Sequence, residues 1–466
     1  MDQTLDRSTV VSSTPPASPS TRRLPPVVPG HPIAGSAFAM RRDPLRFLLD
    51  ATHRYGEISR IRFFFSYAYM VNSAEGARHI LQEHNRNYDK NTFDYHALAR
   101  LLGKGLLTND GAPWLRQRRL IQPAFHRQRL ASFAAIMTGA AERTAEAWRA
   151  ASAHGEPTDV AAEMMRLTLS VVGQALFGQN VEDDVAVVGR AGVSLSRIIT
   201  DYVMRPLPPL DFPSARGRHF WAAKRELDAV TWRIIAERRR TGADTGDLLS
   251  MLLTARDEEG HGMDDQQVRD EVLTLLLAGH ETTSTLLSWT WYLLSRSPDA
   301  ERRLHEELAT VLGGRIPGVD DLAKLPYTRR VLDESLRLYP PAWSLARNAV
   351  ADDTIGGYTI PAHAAVILCP YTLHRHPDYW IDPERFDPDR FLPERVEARP
   401  RWAYIPFGGG PRQCIGNSFA LMEAQLALAT LAQRFQPRLA PGHTVLPEPV
   451  ITLRPRDGLQ MIIEAR

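Results

Sequence analysis

Residues 407–416 read FGGGPRQCIG, an unusual stretch in a chain that has only two cysteines. Three consecutive glycines and a proline come before Cys414, so no regular helix or strand can run up to the cysteine. The next residues, 417–435, read NSFALMEAQLALATLAQRF and have the apolar spacing of an amphipathic helix. The sequence therefore predicts a sulfur atom held in a glycine-built loop at the start of a helix.

The surroundings of Cys414 predict an ionised sulfur. Glycine lets backbone N–H groups approach the sulfur closely, and the partial positive charge at a helix N-terminus favours thiolate over thiol. Arg412 adds a full positive charge two residues away. A thiolate acts either as a nucleophile or as a metal ligand. The other cysteine, Cys369, lies in the apolar run AVILCP and is predicted to be a small buried hydrophobic residue.

Four kinds of site have to be compared for a cysteine in such a loop. A phosphate-binding loop fits poorly, because Pro411 has no N–H group and no βαβ context surrounds the loop. A catalytic nucleophile would need a histidine and an orienting partner, which the sequence leaves open, although no protease signature is present. A structural zinc site would need three further ligands, whose usual spacings are missing. An axial thiolate for haem iron needs only this one cysteine.

The composition is that of an ordinary globular protein. The chain has 466 residues, of which 44% are hydrophobic and 24% are charged, and its formal net charge is +2. This balance gives no reason to expect nucleic acid or an anionic membrane as a partner. Because only two cysteines are present, a disulfide framework is excluded and a reducing, cytoplasmic setting is expected.

Residues 1–24 are rich in serine, threonine and proline and lack a continuous apolar segment. They are predicted to be a disordered lead-in, neither a signal peptide nor a membrane anchor. The best membrane-spanning candidate, residues 272–294, carries His280 and Glu281 near its middle, and an acidic residue there costs about 3 kcal/mol on insertion. We therefore expect no transmembrane anchor, and a single domain over residues 25–466.

Hydrophobic periodicity predicts a mainly α-helical fold with small β-sheets, in the α+β class. Two short strands are expected within residues 57–73, and helices follow from Asp110 to about Arg240, interrupted by a proline-rich loop at 204–220. A long central helix begins after the N-cap Asp264, with Gln267 as capping-box partner, and ends before Pro298. Hairpins are expected at 352–361 and 451–465, the second of them closing the chain.

Several motifs of the chain resemble those of the cytochrome P-450 superfamily. The haem-ligand loop of that family reads F-x-x-G-x-R-x-C-x-G, and it is matched here by Phe407, Gly410, Arg412, Cys414 and Gly416. The segments AGHETT (278–283), ESLR (334–337), PERF (383–386) and WLRQR (114–118) match further motifs of the family. The resemblance covers nearly the whole chain from Pro25 onward.

The resemblance implies a cytochrome P-450 fold, in which the long central helix lies over a haem. Cys414 would be the axial ligand of the iron, and a thiolate in that position favours cleavage of the O–O bond. Haem b bound without a covalent link is expected, because Ala278 stands where some fatty-acid hydroxylases of the family carry a glutamate esterified to haem. The resemblance implies that the arginines and the tryptophan bind the propionates of the haem. The full set of further residues implied to contact the haem is Trp114, Arg118, Ala278, Arg347, Phe407, Gly408, Arg412 and Gly416.

The resemblance also implies two catalytic residues. Thr282 would hydrogen-bond oxygen at the haem and Glu281 would relay protons from solvent, while Ala278 and Gly279 leave room for O₂. A glutamate followed by two threonines inside an apolar helix also fits a different interpretation, a kinked core helix with a buried salt bridge.

A structural role is implied for Glu334, Arg337 and Arg385. In the family these residues form a buried charge network that fixes the region of the haem loop. The substrate pocket implied by the resemblance is apolar, and its candidate residues are Leu106, Leu107, Leu277, Ala278, Ala342, Trp343, Val450 and Ile451.

The implied activity is that of a haem-thiolate monooxygenase that hydroxylates or epoxidises a fatty acid, a terpenoid, a steroid or a similar hydrophobic molecule. It would use O₂ and two electrons from a separate ferredoxin or flavodoxin with an NAD(P)H-dependent reductase, which would dock on the basic run 114–129. A peroxygenase or an isomerase on the same fold is the nearest alternative, and a non-catalytic haem sensor or lipid-binding protein is another. The Glu281–Thr282 pair argues against a peroxygenase, since ready-made peroxide has less need of a proton relay.

Overall fold

The computed structural model describes residues 23–178, 182–205 and 207–466. Over these residues the fold is mainly α-helical with small β-sheets, which confirms the predicted fold class. The α-helices are α1 (Ala37–Arg42), α2 (Pro44–Tyr55), α3 (Ala74–Arg78), α4 (Phe93–Leu102), α5 (Gly111–Ile121), α6 (Arg127–Ser132), α7 (Ala134–His154), α8 (Val160–Phe177), α9 (Glu182–Met204), α10 (Ala215–Thr241), α11 (Leu248–Thr254), α12 (Asp265–Ser295), α13 (Pro298–Leu312), α14 (Pro326–Leu338), α15 (Pro370–Leu373), α16 (Pro393–Glu397) and α17 (Asn417–Ala432).

The strands are short and form four sheets over the described residues. One sheet has six strands in the order β1-β2-β3-β9-β6-β4, one has three in the order β10-β13-β5, and the pairs β11-β12 and β7-β8 make the others. The strands are β1 (Val27–Val28), β2 (Ile58–Phe63), β3 (Ser66–Val71), β4 (Tyr88–Asp89), β5 (Pro157–Asp159), β6 (Leu345–Ala349), β7 (Asp353–Ile355), β8 (Tyr358–Ile360), β9 (Ala365–Leu368), β10 (Phe435–Leu439), β11 (Pro447–Pro449), β12 (Leu453–Pro455) and β13 (Gln460–Ala465).

The six-stranded sheet joins the N-terminal strands, within residues 27–89, to two strands within residues 345–368. The strands predicted within residues 57–73 are β2 and β3, which pair antiparallel with Ile58 opposite Val71. β9 then adds parallel to β3, and β6 pairs with both β9 and β4. This order places the end of β4 beside Arg347 on β6, although the two segments are far apart in sequence.

The central helix is α12, whose 31 residues make a rod about 45 Å long. Its N-cap is Asp264, as predicted, because the carboxylate accepts a hydrogen bond from the N–H of Gln267 at 2.7 Å. The side chain of Gln267 accepts a hydrogen bond from Arg116 instead, at 3.4 Å. The helix ends at Ser295, and Pro298 is the first residue of α13.

The largest core cluster lies between α7, α8, α12 and α17, and it includes the edge-to-face pair Trp148 and Trp291. The prediction that α17 is amphipathic is wrong, because residues 421–432 are all buried. Helices pack against α17 on several sides, so no polar face is left to solvent.

Two other predictions concern the ends of the chain. The C-terminal hairpin at 451–465 is wrong, because β12 pairs with β11 while β13 pairs with β10 and β5 in another sheet. The prediction of disorder for residues 1–24 concerns mainly residues 1–22, which lie outside the described residues. Arg23 is described, and its carbonyl oxygen accepts a hydrogen bond from the N–H of Thr359 at 2.8 Å.

One helix, α8 (Val160–Phe177), is long and apolar enough to cross a membrane by length and composition. Most of it is buried inside the protein, against α7, α9 and α12. The stretch 272–294, which the sequence offered as the best candidate, does not meet the same criteria.

Candidate active site

The loop 407–416 is a tight turn that depends on glycine at defined positions. Gly408 and Gly410 have φ angles of +66° and +64°, a region that residues with a Cβ rarely adopt. A Cβ on Gly410 would also overlap the carbonyl oxygen of Leu81. The N–H of Cys414 donates to the carbonyl oxygen of Phe407 at 3.0 Å. The loop thus packs against residues 79–83 and holds Cys414 two residues ahead of Gly416, the N-cap of α17.

The electrostatics of Cys414 differ from the prediction. Part of the side chain is accessible, yet the surrounding protein excludes enough water that burial raises the pKa of the thiol. The N–H of Gly416 and the charge of Arg118 lower this pKa without cancelling the effect of burial. Arg412 forms a salt bridge with Asp110 instead. The surroundings alone therefore do not favour a thiolate, whereas a metal ion bound to the sulfur would favour one.

Arg412, Trp114 and Arg118 meet beside the cysteine loop, as predicted. The guanidinium carbon of Arg412 lies 3.8 Å from the centroid of the Trp114 ring, and burial lowers the pKa of Arg412 to about 10. Trp114 and Arg118 are four residues apart on α5 and therefore share one face of that helix. Arg118 donates a hydrogen bond to the carbonyl oxygen of Gln413 at 2.9 Å.

A second pair of cations lies at the edge of the six-stranded sheet. Lys90 follows β4 and is buried close to Arg347 on β6, which is also buried. Lys90 donates to the carbonyl oxygen of Leu107 at 2.6 Å, and Arg347 donates to the hydroxyl of Tyr95 at 3.4 Å. Burial lowers the pKa of Lys90 well below its ordinary value, and the charges of Arg347 and Arg412 lower it further.

These cations fit a ligand that carries carboxylates. Among the described residues, neither Lys90 nor Arg347 forms a salt bridge, and the charge of Asp94 offsets that of Lys90 only in part, so buried positive charge collects here. The propionates of a haem would supply that anion within reach of a cysteine that can bind its iron. Sequence reasoning missed Lys90, because it belongs to no motif and only the pairing of β4 with β6 brings it to the site.

The central helix borders an internal space at its midpoint. Most of α12 is buried on all sides, but Leu275, Ala278, Gly279 and Thr282 are not fully buried, and Ala278 is exposed. These residues recur at the spacing of one helix face. Because the turns on either side are buried, the strip faces a space inside the protein. The hydroxyl of Thr282 donates to the carbonyl oxygen of Ala278 at 2.7 Å, a bond to the fourth residue back that threonine often makes within a helix.

Glu281 lies beside this strip and is almost fully buried. Its carboxylate accepts hydrogen bonds from the hydroxyl of Thr452 at 2.7 Å and from that of Ser196 at 3.5 Å. Within the described part of the chain Glu281 forms no salt bridge, so the alternative of a kinked helix with a buried ion pair has no support there. A buried carboxylate with hydroxyl partners suits the exchange of protons.

The charge network around Glu334 is closed. Glu334 and Arg337 form a two-bond ion pair with both distances at 2.7 Å, and neither side chain is exposed. Arg390 approaches the same carboxylate at 3.3 Å, and the N–H of Asp387 donates to it at 2.9 Å. The predicted place of Arg385 in the network is wrong, because its side chain is exposed and only its carbonyl oxygen contacts Arg337. The third charged residue of the network is Arg390, because the chain turns back toward Glu334 after the PERF motif.

Three chain segments that carry predicted pocket residues converge on the central helix. The N–H of Leu106 donates to Glu271 of α12 at 2.9 Å, and Thr452, next to Val450 and Ile451, contacts Glu281. The indole N–H of Trp343 donates to the carbonyl oxygen of Val450 at 2.8 Å. These contacts join the loop before α5, the segment after α14 and the turn before β12 to one helix.

The predicted pocket residues differ in burial. Trp343 packs in the core cluster under the N-terminal helices, which gives its ring a packing role. Leu277 and Ala342 are half-buried, and the end of the Leu277 side chain lies beside Gly192 on α9. Leu107 is also half-buried, whereas Ile451 is 36% exposed and therefore lies at the edge of any pocket.

Comparisons with known proteins agree on one family. The family model described as cytochrome P450 matches residues 25–461. Cyclooctatin synthase from Streptomyces melanosporofaciens is 39% identical over 94% of this chain and 95% of its own length. Pentalenene oxygenase from Streptomyces avermitilis is 34% identical over 93% and 96%. Among solved structures, the cytochrome P450DA heme domain superposes with a TM-score of 0.86 at 29% identity, covering 96% of this chain and 98% of that domain.

Proposed function

This chain belongs to the cytochrome P450 family, and on that premise we propose that it hydroxylates or epoxidises a terpenoid or a similar hydrophobic molecule. As a P450 monooxygenase it is an oxidoreductase with haem as cofactor, and it uses O₂ and a redox partner. Cyclooctat-9-en-7-ol 5-monooxygenase, another Streptomyces relative, is 38% identical over 93% of this chain. The names of these relatives support the proposed substrate class.

The observation that carries this proposal is the accessible strip from Leu275 to Thr282. It lies in the middle of a buried helix, and the segments that meet that helix bring mainly apolar side chains. Burying apolar surface contributes roughly 25 cal/mol per Å² to binding, so a hydrophobic molecule suits this space better than a charged one.

We propose that haem b is held here without a covalent link. Cys414 would bind the iron, and Lys90, Arg347 and Arg412 would pair with the propionates, with Trp114 and Arg118 completing the cradle. Ala278 offers no carboxylate for an ester bond. Bound in this way, the haem supplies the activation of O₂ and the thiolate favours O–O cleavage.

The proposed role of Glu281 and Thr282 is to deliver protons. The carboxylate of Glu281 accepts a hydrogen bond from the hydroxyl of Thr452. If the protonated carboxyl group rotated from Thr452 and Ser196 toward the strip, it would carry a proton to the strip. Thr282 would accept a hydrogen bond at its hydroxyl oxygen from the group that carries the proton, because its own hydrogen is held by the carbonyl of Ala278, and it would orient that donor without taking up the proton. Replacing Thr282 by alanine should therefore leave NAD(P)H oxidation running while less of it yields product.

The site of electron delivery is proposed on α5. Arg116 is engaged with Asp257 at 2.6 Å and is therefore not a free docking residue, whereas Arg119 lies 3.8 Å from the exposed Glu258 and its own side chain is 67% exposed. An acidic ferredoxin or flavodoxin would be attracted by this surface. We expect Arg119→Glu to slow reduction at low salt, with Arg240→Glu at the end of α10 as the control. An unchanged reduction rate for Arg119→Glu would overturn the docking site.

The proposed placement of the protein is cytoplasmic, which the two free cysteines support. A single domain over residues 25–466 completes the proposal. Limited proteolysis that removes the first residues and leaves one resistant fragment would agree with this division.

The activity is tested with the haem-loaded full chain, a ferredoxin and its reductase. Terpenoids, fatty acids and steroids are screened for a shift of the ferric haem spectrum, and each hit is incubated with ¹⁸O₂ and NAD(P)H. We expect one ¹⁸O atom in the product, and we expect Cys414→Ser to abolish both turnover and the long-wavelength Soret band under carbon monoxide. Product formed only from added peroxide would favour a peroxygenase, and binding without oxidation would favour a sensor or a lipid-binding protein.

A further inference from the structure

Two histidines and an aspartate meet near the surface and belong to none of the motifs assigned to haem. Residues 79–83 form a single π-helical turn, closed by the N–H of His84, which donates to the carbonyl oxygen of His79 at 2.8 Å. This turn brings the rings of His79 and His84 face to face, with centroids 4.0 Å apart. Asp353, at the start of β7, faces them, and one ligand atom from each of the three residues lies within 4.8 Å of the others. Single π-helical turns are rare and are often found at functional sites.

Asp353 is held firmly in place. One carboxylate oxygen accepts hydrogen bonds from the hydroxyl of Tyr88 at 2.7 Å and from His79 Nε2 at 2.8 Å. The other oxygen accepts from the N–H of Thr354 at 2.7 Å. Hydrogen bonds of this kind orient a carboxylate for a metal ion in the way that outer partners orient metal ligands.

His84 is the member of the group that structural pairing does not explain. Its side chain is exposed, and among the hydrogen bonds of the described residues none involves its ring. The pair His79–Asp353 already links the π-helical turn to the β7–β8 hairpin, so this link does not require a second histidine. The stacked ring instead adds a second imidazole nitrogen to the same place.

We propose that His79, His84 and Asp353 bind a divalent cation of the Zn²⁺ class. Two imidazoles and one carboxylate suit zinc, nickel or copper better than magnesium or calcium. Zinc bonds of roughly 2.0–2.2 Å in tetrahedral geometry place neighbouring ligand atoms about 3.4 Å apart. The 2.8 Å contact between His79 and Asp353 therefore opens by about half an ångström when the metal replaces the shared proton. The exposed His84 ring tilts toward the metal, and water fills the fourth position.

A second group with ligand atoms at similar distances is less suited to this role. It consists of Glu57, His376 and Asp378, and it offers only one imidazole. Nδ1 of His376 already accepts a hydrogen bond from the N–H of Asp378 at 3.3 Å. This second group therefore provides a matched control for the first.

The place of the proposed metal gives it a connection to the haem loop. The carbonyl oxygen of Leu81, inside the π-helical turn, lies against Gly410 of the cysteine loop. A metal that joins this turn to the β7–β8 hairpin would restrain the support on which that loop rests. We therefore expect Zn²⁺ to raise the unfolding temperature of the haem-loaded protein.

The test is a calorimetric titration of Zn²⁺ into the haem-loaded full chain, repeated with His84→Gln, Asp353→Asn and Asp378→Asn. His84→Gln is the decisive variant because the side chain is exposed, and its haem spectrum under carbon monoxide should match that of the unchanged protein. We expect one Zn²⁺ ion per chain, bound on the order of tenfold more weakly or worse in His84→Gln and Asp353→Asn. Asp378→Asn should bind as the unchanged protein does.

Two results with the variants would overturn the proposal. One is equal binding of Zn²⁺ to His84→Gln and to the unchanged protein. The other is loss of the strongest site in Asp378→Asn, which would place the metal at the second group. Displacement of Zn²⁺ by equimolar Mg²⁺ would also contradict it, since a site with two imidazoles should favour zinc strongly.

Discussion

Buried charge is arranged in two opposite ways on the two sides of the cysteine loop. Around Glu334 each charge has a partner, because Arg337 and Arg390 share its carboxylate and the N–H of Asp387 adds a further bond. Around Lys90 the positive charges accumulate, and their mutual repulsion adds to the low pKa of that lysine. The first arrangement holds the fold together and needs nothing more. The second is complete only with an anion, and it marks the place where the haem propionates are proposed to bind.

Three arginines with similar sequence surroundings differ in the partners of their side chains. Arg337, Arg347 and Arg412 are all arginines of motif-like segments near the same loop. Arg337 is fully buried against a carboxylate of its own helix, whereas Arg347 contacts only a tyrosine hydroxyl and a backbone carbonyl. A change at Arg337 or its partner should therefore damage folding, and a change at Arg347 should damage the binding of haem.

The largest effect is expected from Glu334→Ala. Removing one partner of a buried ion pair leaves an uncompensated charge and commonly costs about 3–5 kcal/mol. We expect insoluble or haem-free protein, measured by soluble yield and by haem content per chain. Glu306→Ala is the matched control, because its pair with Arg302 is 60% exposed on both sides and should contribute less than about 1 kcal/mol. Normal haem incorporation in Glu334→Ala would contradict the structural role.

A smaller effect, on haem binding alone, is expected from Lys90→Met and Arg347→Met. A hydrogen bond to a charged group contributes about 1.5–3 kcal/mol, so each variant should lose haem roughly ten- to a hundredfold faster to an excess of a haem-binding acceptor protein. Methionine keeps the length and the packing of both side chains. Arg240→Met at the exposed end of α10 is the control. Unchanged haem loss in Lys90→Met would remove that residue from the proposed cradle.

The parts of the site that depend on local structure could be predicted from the sequence. Cys414, the glycines of its loop and the cap at Asp264 lie within a few residues of their partners, so local spacing predicted them. The pair Glu334–Arg337 was implied by the family motif, and its two residues are also neighbours on one helix face. Long-range partners were missed. Asp89 and Asn348, which hydrogen-bond at 2.9 Å and bring Lys90 to Arg347, are 259 residues apart.

The errors have physical causes of the same kind. Arg385 and Arg390 are five residues apart, and only the turn of the chain after the PERF motif decides which of them faces Glu334. The closing hairpin was wrong because alternation shows that two segments are strands but not which strands they pair with. The pKa of Cys414 was misjudged because the degree of burial around a loop depends on everything packed against it.

The smallest expected effect concerns Glu271, a buried acid with an unpaired carboxylate oxygen. One oxygen accepts from the N–H of Leu106, and the other has no partner among the described residues. Burial raises the pKa of Glu271 from an ordinary value of 4.5 to about 8, so the folded protein binds a proton that the unfolded chain releases. Its contribution to stability is therefore full below about pH 4.5 and falls as the pH rises toward 8.

Glu271→Gln should remove this pH dependence while keeping the acceptor for Leu106. Between about pH 6 and pH 7 the free energy of unfolding of the variant should rise relative to the unchanged protein by about 1 kcal/mol. Denaturant titrations of both proteins at the two pH values measure this difference, and Glu306→Gln, on the exposed face of α13, should show none. A difference that does not change with pH would mean that Glu271 is ionised in the folded protein, with a cation near its free oxygen.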